Sequence, residues 1–414
     1  MNDKDLRKTG YRVKRWGIDE SKANLLAEAT SEYPIMYQAL GTEPKTSHPF
    51  NLYNDISAQP KALTDTLEQN SDLIAKTAEK LIKRGINRFV GFGLGTSQFV
   101  GQVAAYGFWK FAGMDAEDMD AVEFQMYERP YDYQKTAFLA LSGSGSTTDS
   151  NNSAELAKSR GGYVLALTSI SNSPLSKIAD DNIVCAGGYD TGGSDTFHYV
   201  TRLAVCLLLA LEMGQRIRPK AYDYDDLKRQ LMSAGGKMAT VFPAVDARCR
   251  SIAKRLKNAR SILVVGSGPH LGTAEEIGLK FDEMCHIPSK PMCWGRHIHG
   301  ALGLTDEHIY TIIVSPPGES YKRMLDIGRV TQMLKTPSIS IVIEDDKELS
   351  SMTDDVIRLP GMEETLWSVM SILPGQLLPY YCAVEKGDVN PDCQRSNIPK
   401  YARVWNMLFP PGTH

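Results

Sequence analysis

The sequence is short of the features that mark many specialised proteins. Its seven cysteines are scattered without a paired spacing, which argues against a disulfide framework and for reduced thiols in a cytoplasmic protein. Lysine plus arginine number 46 and aspartate plus glutamate 49, a net charge of −3. With so small an imbalance, and no basic run interleaved with aromatics, no nucleic-acid partner is expected. The opening residues, Met-Asn-Asp-Lys-Asp-Leu-Arg-Lys, contain no apolar core of a secretory signal. The longest apolar run, near Leu203–Leu211, is cut off by Glu212 and reads as too short to span a bilayer, so no membrane partner is expected either. No Gly-Lys-Ser/Thr is present to make a P-loop. Gly93-Leu-Gly95 lacks a third glycine at Gln98, and no acidic ribose ligand ends the next strand. These absences leave no cofactor to expect.

What is present is a repeat. Residues 88–97 read Arg-Phe-Val-Gly-Phe-Gly-Leu-Gly-Thr-Ser, and residues 260–269 read Arg-Ser-Ile-Leu-Val-Val-Gly-Ser-Gly-Pro. Each is an apolar strand running into a glycine turn. Each is followed by a second apolar strand and a small-residue loop, Leu-Ser-Gly-Ser-Gly-Ser-Thr-Thr (141–148) in the first half and Val-Ser-Pro-Pro-Gly-Glu-Ser (314–320) in the second. Strand candidates at 88–93, 121–126, 136–142, 162–168 and 182–186 alternate with helical stretches such as 97–112, 152–159 and 196–213. A second set follows at 261–266, 289–294, 309–315, 338–343 and 356–359, closing with a helix near 364–386. Strands that alternate with helices imply parallel sheets covered on both faces. A helix is also expected over 51–84, and 214–245 reads as a connection between the halves.

In open parallel sheets, ligands bind beyond the carboxyl ends of the strands. Gly93, Gly95, Thr96 and Ser97 fall at the end of one strand, and Ser142 to Thr147 at the end of another. Glycines admit an anion close to the backbone, while hydroxyls and the N–H groups of a helix start donate to it. Such a cradle suits a phosphate or a sulfonate; the alternative is a pair of ordinary Ser/Gly/Thr turns. His297 and His299 with Cys293 match no common zinc spacing, so no metal is expected.

The two loops, Gly93-Leu-Gly-Thr-Ser97 and Leu141-Ser-Gly-Ser-Gly-Ser-Thr147, resemble the phosphate loops of the tandem sugar isomerase (SIS) family, over roughly residues 50–400. Asn54–Leu63 resembles the family's lead-in helix, with a Gln-Pro turn. Ala274–Glu283 is similar to the helix carrying the catalytic base, and Gly295-Arg-His-Ile-His-Gly300 sits where the family has a histidine loop. Glu283 and His299 are 16 residues apart, as that pattern requires. Asn390-Pro-Asp through Lys400 resembles a tail folded over the site, in a form nearer to stand-alone deglycases and deaminases. The departures are Arg296 for the family glutamate, Gly143 and Ser146 in the phosphate loop, and Ala301 for proline.

The resemblance implies a fold class of α/β, with two tandem SIS domains, each a parallel five-stranded sheet flanked by helices. The boundaries are a helical extension at 1–70, a first domain at 71–222, a second at 245–385 and a tail at 386–414. It assigns phosphate binding to Ser97, Ser142, Ser144 and Thr147, with Gly95 in the first loop, and catalysis to Glu283 and His299, with Lys400 where the tail delivers a lysine; Lys280, one helical turn before Glu283, is a further catalytic candidate and Arg296 a further binding candidate from the residues themselves. Glu283 would move the proton beside a carbonyl and His299 would open the sugar ring. Lys280 would stabilise enediol charge, or pair with Glu276 on the surface. Arg296 would clamp a carboxylate, or form a salt bridge. The implied activity is isomerisation of a sugar phosphate, with amine release from an amino sugar or fructosamine phosphate favoured. Plain isomerisation of a phosphorylated or sulfonated sugar and a non-catalytic sensor stay open. A homodimer with shared sites is expected.

Overall fold

The computed structural model describes residues 45–127 and 129–392, together with 400, 401 and 404. Among the described residues helix α1 (Asn51–Lys83) comes first and carries Pro60 in its interior. The expected Gln-Pro turn is therefore helix. Pro60 has no N–H for the carbonyl of Ile56, and the Gln59 side chain supplies the missing donor at 3.0 Å. The same side chain donates to Gln376 at 2.7 Å. The start of α1 has no cap of its own. Asp392, from the far end of the chain, accepts from the backbone N–H of Asn51 at 3.0 Å and Leu52 at 2.8 Å, satisfying donors that a helix start leaves open.

The front lobe holds β1 (Arg88–Gly93), β2 (Asp115–Asp120), β3 (Thr136–Leu141), β4 (Tyr163–Thr168) and β5 (Asp181–Val184), in the order β2-β1-β3-β4-β5. Helix α2 (Thr96–Gly107) follows β1, α3 (Thr148–Ser159) follows β3, and α4 (Thr196–Ile217) follows β5. Helix α5 (Ala234–Leu256) leads into the rear lobe. There β6 (Ser261–Val265), β7 (Ser289–Met292), β8 (Ile309–Val314), β9 (Ser338–Ile343) and β10 (Asp355–Leu359) lie in the order β10-β9-β8-β6-β7. Helix α6 (His270–Lys280) follows β6, and α7 (Ser368–Lys386) closes the lobe. All pairings are parallel. The expected fold class, two tandem five-stranded parallel sheets flanked by helices, is what the chain adopts. Strands β3 and β4 are buried along their whole length, as sheets covered on both faces require.

One expected strand is a helix. Residues 121–126 are helical because Asp120 caps them, its carboxylate accepting from Val122 and Glu123 N–H. The strand is the acidic segment before it, Asp-Ala-Glu-Asp-Met-Asp, tolerated because β2 is an edge strand with only Ala116 and Met119 buried. Helix α4 contains the long apolar run. By length and composition it is long enough to cross a membrane, yet that stretch is wholly buried inside the protein, so it is the core helix on which α1 packs.

The repeat extends to fine detail. Helices α2 and α6 each run into a π-helical turn, Phe108–Ala112 and Phe281–Cys285, closed by a left-handed residue, Gly113 and His286. The two helices pack on each other at Gly272, where a Cβ would lie 2.8 Å from Val103 Cγ2 and 3.1 Å from the Phe99 carbonyl. Gly272→Val should therefore part the lobes and cost about 1–3 kcal/mol of stability, read as a lowered midpoint in thermal denaturation.

Candidate active site

In the order β2-β1-β3-β4-β5 the chain changes direction between β1 and β3, and the crevice beyond their carboxyl ends is the expected ligand position. Both hydroxyl loops open there. Gly95 has φ +52, which a side chain would strain, and Thr96 and Ser97 begin α2, both buried. In the second loop Ser142 Oγ lies 3.2 Å from Thr147 Oγ1 and accepts from Gly145 N–H at 3.0 Å. Ser144 Oγ accepts from Ser146 N–H at 3.2 Å and from Ser146 Oγ at 2.8 Å. The loop is thus tied internally and leads into α3, whose first-turn N–H groups face an incoming anion.

The rear lobe meets this cradle through α6. Glu276, Lys280 and Glu283 are spaced by four and three residues and share one helix face, with Glu283 in the π-helical turn, a type of turn frequent at functional sites. Lys280 is completely buried. Its ammonium lies 3.3 Å from Glu276 and donates to Glu283 at 2.8 Å and to Thr96 Oγ1 at 2.9 Å. The surface pairing of Lys280 with Glu276 is therefore corrected: the pair is interior because the front lobe covers it. Burial disfavours the ammonium, but Glu276 and Glu283 outweigh this and raise the Lys280 pKa. Burial likewise raises both carboxyls against the pull of Lys280, Glu276 to about 7 and Glu283 in the same direction. Glu283 keeps 26% of its side chain exposed, so it is open to a ligand while Glu276 is sealed.

Behind the cradle stands a charged group not anticipated in the sequence. Arg202, fully buried on α4, donates to Ser97 Oγ at 2.5 Å, to the Asp195 carboxylate, and to the His198 carbonyl at 2.9 Å. His198 bonds Asp195 through Nδ1 and Gly188 O through Nε2, the latter at 2.7 Å. Gly143 is obligatory here, since a Cβ would lie 2.5 Å from His198 Nδ1 and 2.7 Å from Asp195 Oδ1. The available signal was an arginine inside an apolar helix, a position a charge occupies only when paired. Asp190, Asp195 and His198 are close enough to share a metal ion, but both ring nitrogens of His198 are engaged by Asp195 and Gly188, and both oxygens of Asp190 by backbone N–H groups.

Comparison with known proteins gives the family. Residues 82–212 and 255–386 each match the SIS domain. The chain belongs to the SIS domain family. It is 27% identical over 361 residues to the isomerizing glutamine–fructose-6-phosphate aminotransferase of Thermococcus kodakarensis, covering 87% of this chain and 59% of that protein. To the enzyme of the same name from Pyrococcus horikoshii it is 29% identical over 379 residues, covering 91% and 62%. The chain thus spans about six tenths of the length of these relatives. Among solved structures, the C-terminal domain of glucosamine-fructose-6-phosphate aminotransferase from Francisella tularensis superposes with a TM-score of 0.75 at 20% identity, over 83% of this chain and 98% of that one. Tagatose-6-phosphate ketose/aldose isomerase from Escherichia coli gives 0.71 at 16%, over 84% and 96%. These two likenesses show a shared fold.

Of the SIS residues expected at the site, the structure brings together Gly95, Ser97, Lys280 and Glu283, with Ser142, Ser144 and Thr147 on the neighbouring loop. Arg296 and His299 are not bonded to this group. Both are exposed on and after the short helix Trp294–Ile298, and no hydrogen bond or ion pair among the described residues joins either to Glu283. Arg296 instead exerts its charge on Glu275, one position round α6 from the active face. Lys400 is exposed, and residues 393–399, which would deliver it, lie outside the described residues. Asn390 and Asp392 of the tail motif bind Lys45 and the start of α1.

The rear lobe's own cradle is closed. A Cβ at Gly318 would collide with the Glu364 carboxylate, which accepts from Glu319 N–H and sits 3.8 Å from Lys110 of the front lobe.

The Glu276 shift has a measurable sign. Between its ordinary value of 4.5 and about 7, the folded protein holds a proton that the unfolded chain releases, so this group's contribution to stability falls as pH rises. Glu276→Gln should flatten the decline in unfolding free energy across that window by roughly 3 kcal/mol, measured by urea denaturation at a series of pH values.

Proposed function

We propose that this SIS protein is a sugar-phosphate isomerase-type enzyme that acts on an amino sugar or fructosamine phosphate and releases the amine. The observation that supports it is the Lys280 ammonium, bonded at once to Glu283 and to Thr96 of the anion cradle. One buried cation thus fixes the distance between the base and the group that holds the substrate's far end. In this reading Ser97, Ser142, Ser144 and Thr147 with the starts of α2 and α3 grip the phosphate. Glu283, basic enough through its raised pKa to take a carbon-bound proton and exposed enough to reach it, transfers that proton between neighbouring carbons. Lys280 stabilises the enediolate or enolamine charge that develops alongside. Hydrolysis of the imine formed from an amino sugar then frees the amine.

Amino-sugar names among the structural neighbours, the glucosamine-fructose-6-phosphate aminotransferase domain of Francisella tularensis and the glucosamine-6-phosphate deaminase of Thermotoga maritima, support the amine-releasing version. The Asn-Pro-Asp motif does not contribute, because Asp392 is engaged in capping α1. Plain isomerisation uses the same groups and stops one step earlier.

Ring opening needs an acid, and among the described residues no bond joins His299 to Glu283. In our reading His299, exposed and without a side-chain partner among the described residues, serves the site of a second copy in a cytoplasmic homodimer. Arg296 goes with it.

Incubating the protein with candidate amino-sugar and sugar phosphates in deuterated water should give exchange at the carbon next to the carbonyl. Glu283→Gln should slow that exchange by about 100-fold or more while still binding ligand; undiminished exchange in the variant would refute the assignment of the base. Mixing Glu283→Gln with His299→Ala, each inactive alone, should restore activity once subunits exchange, whereas failure to complement would exclude a shared site.

A further inference from the structure

The inner pocket gathers carboxyls beside a site that takes an anion. Those of Asp190, Asp195, Glu276 and Glu283 influence one another there, alongside Lys280, Arg202 and His198. Three of the carboxyls are accounted for. Asp190 accepts from the backbone N–H groups of Gly192, Gly193 and Thr196, Glu276 is sealed against Lys280, and Glu283 is the proposed base.

Asp195 is different. It holds a left-handed backbone conformation, φ +54, at the start of α4, which costs a non-glycine residue energy and persists at functional sites when its surroundings enforce it. Its partners Arg202 and His198 are 0% and 4% exposed, yet its own side chain is 30% exposed. One oxygen is engaged by His198 and the other by Arg202. A carboxylate offers about four lone-pair sites, so about two remain on its open edge. That edge adjoins Gly143 of the cradle on one side, and its charge is felt by Lys280 and Glu283 on the other. Burial opposes ionisation, but Arg202 and His198 outweigh it and hold the carboxyl well below its usual range.

Resting on the phosphosugar reading above, we propose that Asp195 is a specificity-determining residue that receives the ammonium group of an amino-sugar phosphate between the anion cradle and Glu283. A hydroxyl in the same place makes a neutral-donor bond to the carboxylate; an ammonium makes a charge-assisted pair, about twice as strong. Arg202 acts as a positioning residue, tying Asp195 to Ser97 so that the amine site and the anion site keep a fixed separation.

The test uses the full chain carrying Glu283→Gln, to prevent turnover, and two probes that differ only in an amine or a hydroxyl, glucosamine 6-phosphate and glucose 6-phosphate. Calorimetry near pH 6.5 should give the amine probe an advantage of about tenfold. Adding Asp195→Asn should reduce that advantage to parity while the affinity for glucose 6-phosphate changes little, a pattern that a merely structural role would not produce. Should that variant fail to fold by circular dichroism, Asp195→Asn with Arg202→Gln removes both charges together, leaves no unpaired guanidinium, and is expected to show the same parity. Equal binding of the two probes to the parent, or an advantage that survives the loss of Asp195, would overturn the proposal. Binding of neither probe by the folded parent would instead overturn the phosphosugar reading on which it rests.

Discussion

The arrangement depends on one buried ammonium. Lys280 has no contact with water, so its charge must be met inside the protein, and an unpaired charge there would cost several kcal/mol. Glu276 and Glu283 from its own helix and Thr96 from the opposite lobe supply that compensation. Because Thr96 starts the helix that frames the anion cradle, the lobes cannot slide without breaking a bond to a buried cation. The close approach of α2 and α6 at Gly272, which only a residue without a side chain permits, follows from the same requirement. The shifted carboxyls do too: two acids beside one ammonium cannot both ionise freely, and the more deeply buried of them keeps its proton into the neutral range.

A second set of fixed charges gives the pocket a direction. Arg202 draws Asp195 toward the base of the cradle and Ser97 toward the same point, so the front wall carries hydroxyls and N–H groups at one end and a carboxylate edge at the other. A ligand with an anionic tail and a cationic or proton-rich head fits that gradient in one orientation only. On the proposed reading the head then lies against Glu283 and Lys280 of the rear lobe. Binding and chemistry would then fall to different halves of the repeat, with the buried bonds between the halves keeping them in register.

Most of this architecture was legible in the sequence, and what was hidden has physical reasons. Apolar strands ending in glycine turns mark β1, β3, β6 and β8 plainly, and Lys280 and Glu283 stand out by their place on one helical face. Strand β2 was misplaced because an edge strand needs only one apolar face in part, and Asp-Ala-Glu-Asp-Met-Asp carries too little of it. The residues 121–126 mimic a strand in composition, and only the capping by Asp120 reveals the helix. The burial of Glu276 depends on the other lobe lying over α6, which no local pattern encodes. Arg202 and Asp195 are distant in character from the loops they serve, one within an apolar helix and one at a turn, and become a unit only through the backbone conformation at residue 195. The Asn-Pro-Asp segment has a structural part that its residue pattern did not announce, Asp392 completing the first turn of α1.

The closed cradle of the rear lobe has its own consequence. Glu364 lies where the corresponding front-lobe turn is open, receives a backbone N–H from Glu319, and has Lys110 nearby. A tethered carboxylate is present at an effective concentration that a diffusing metabolite seldom matches. The rear turn therefore draws its occupant from the chain itself, where the front turn is lined by hydroxyls.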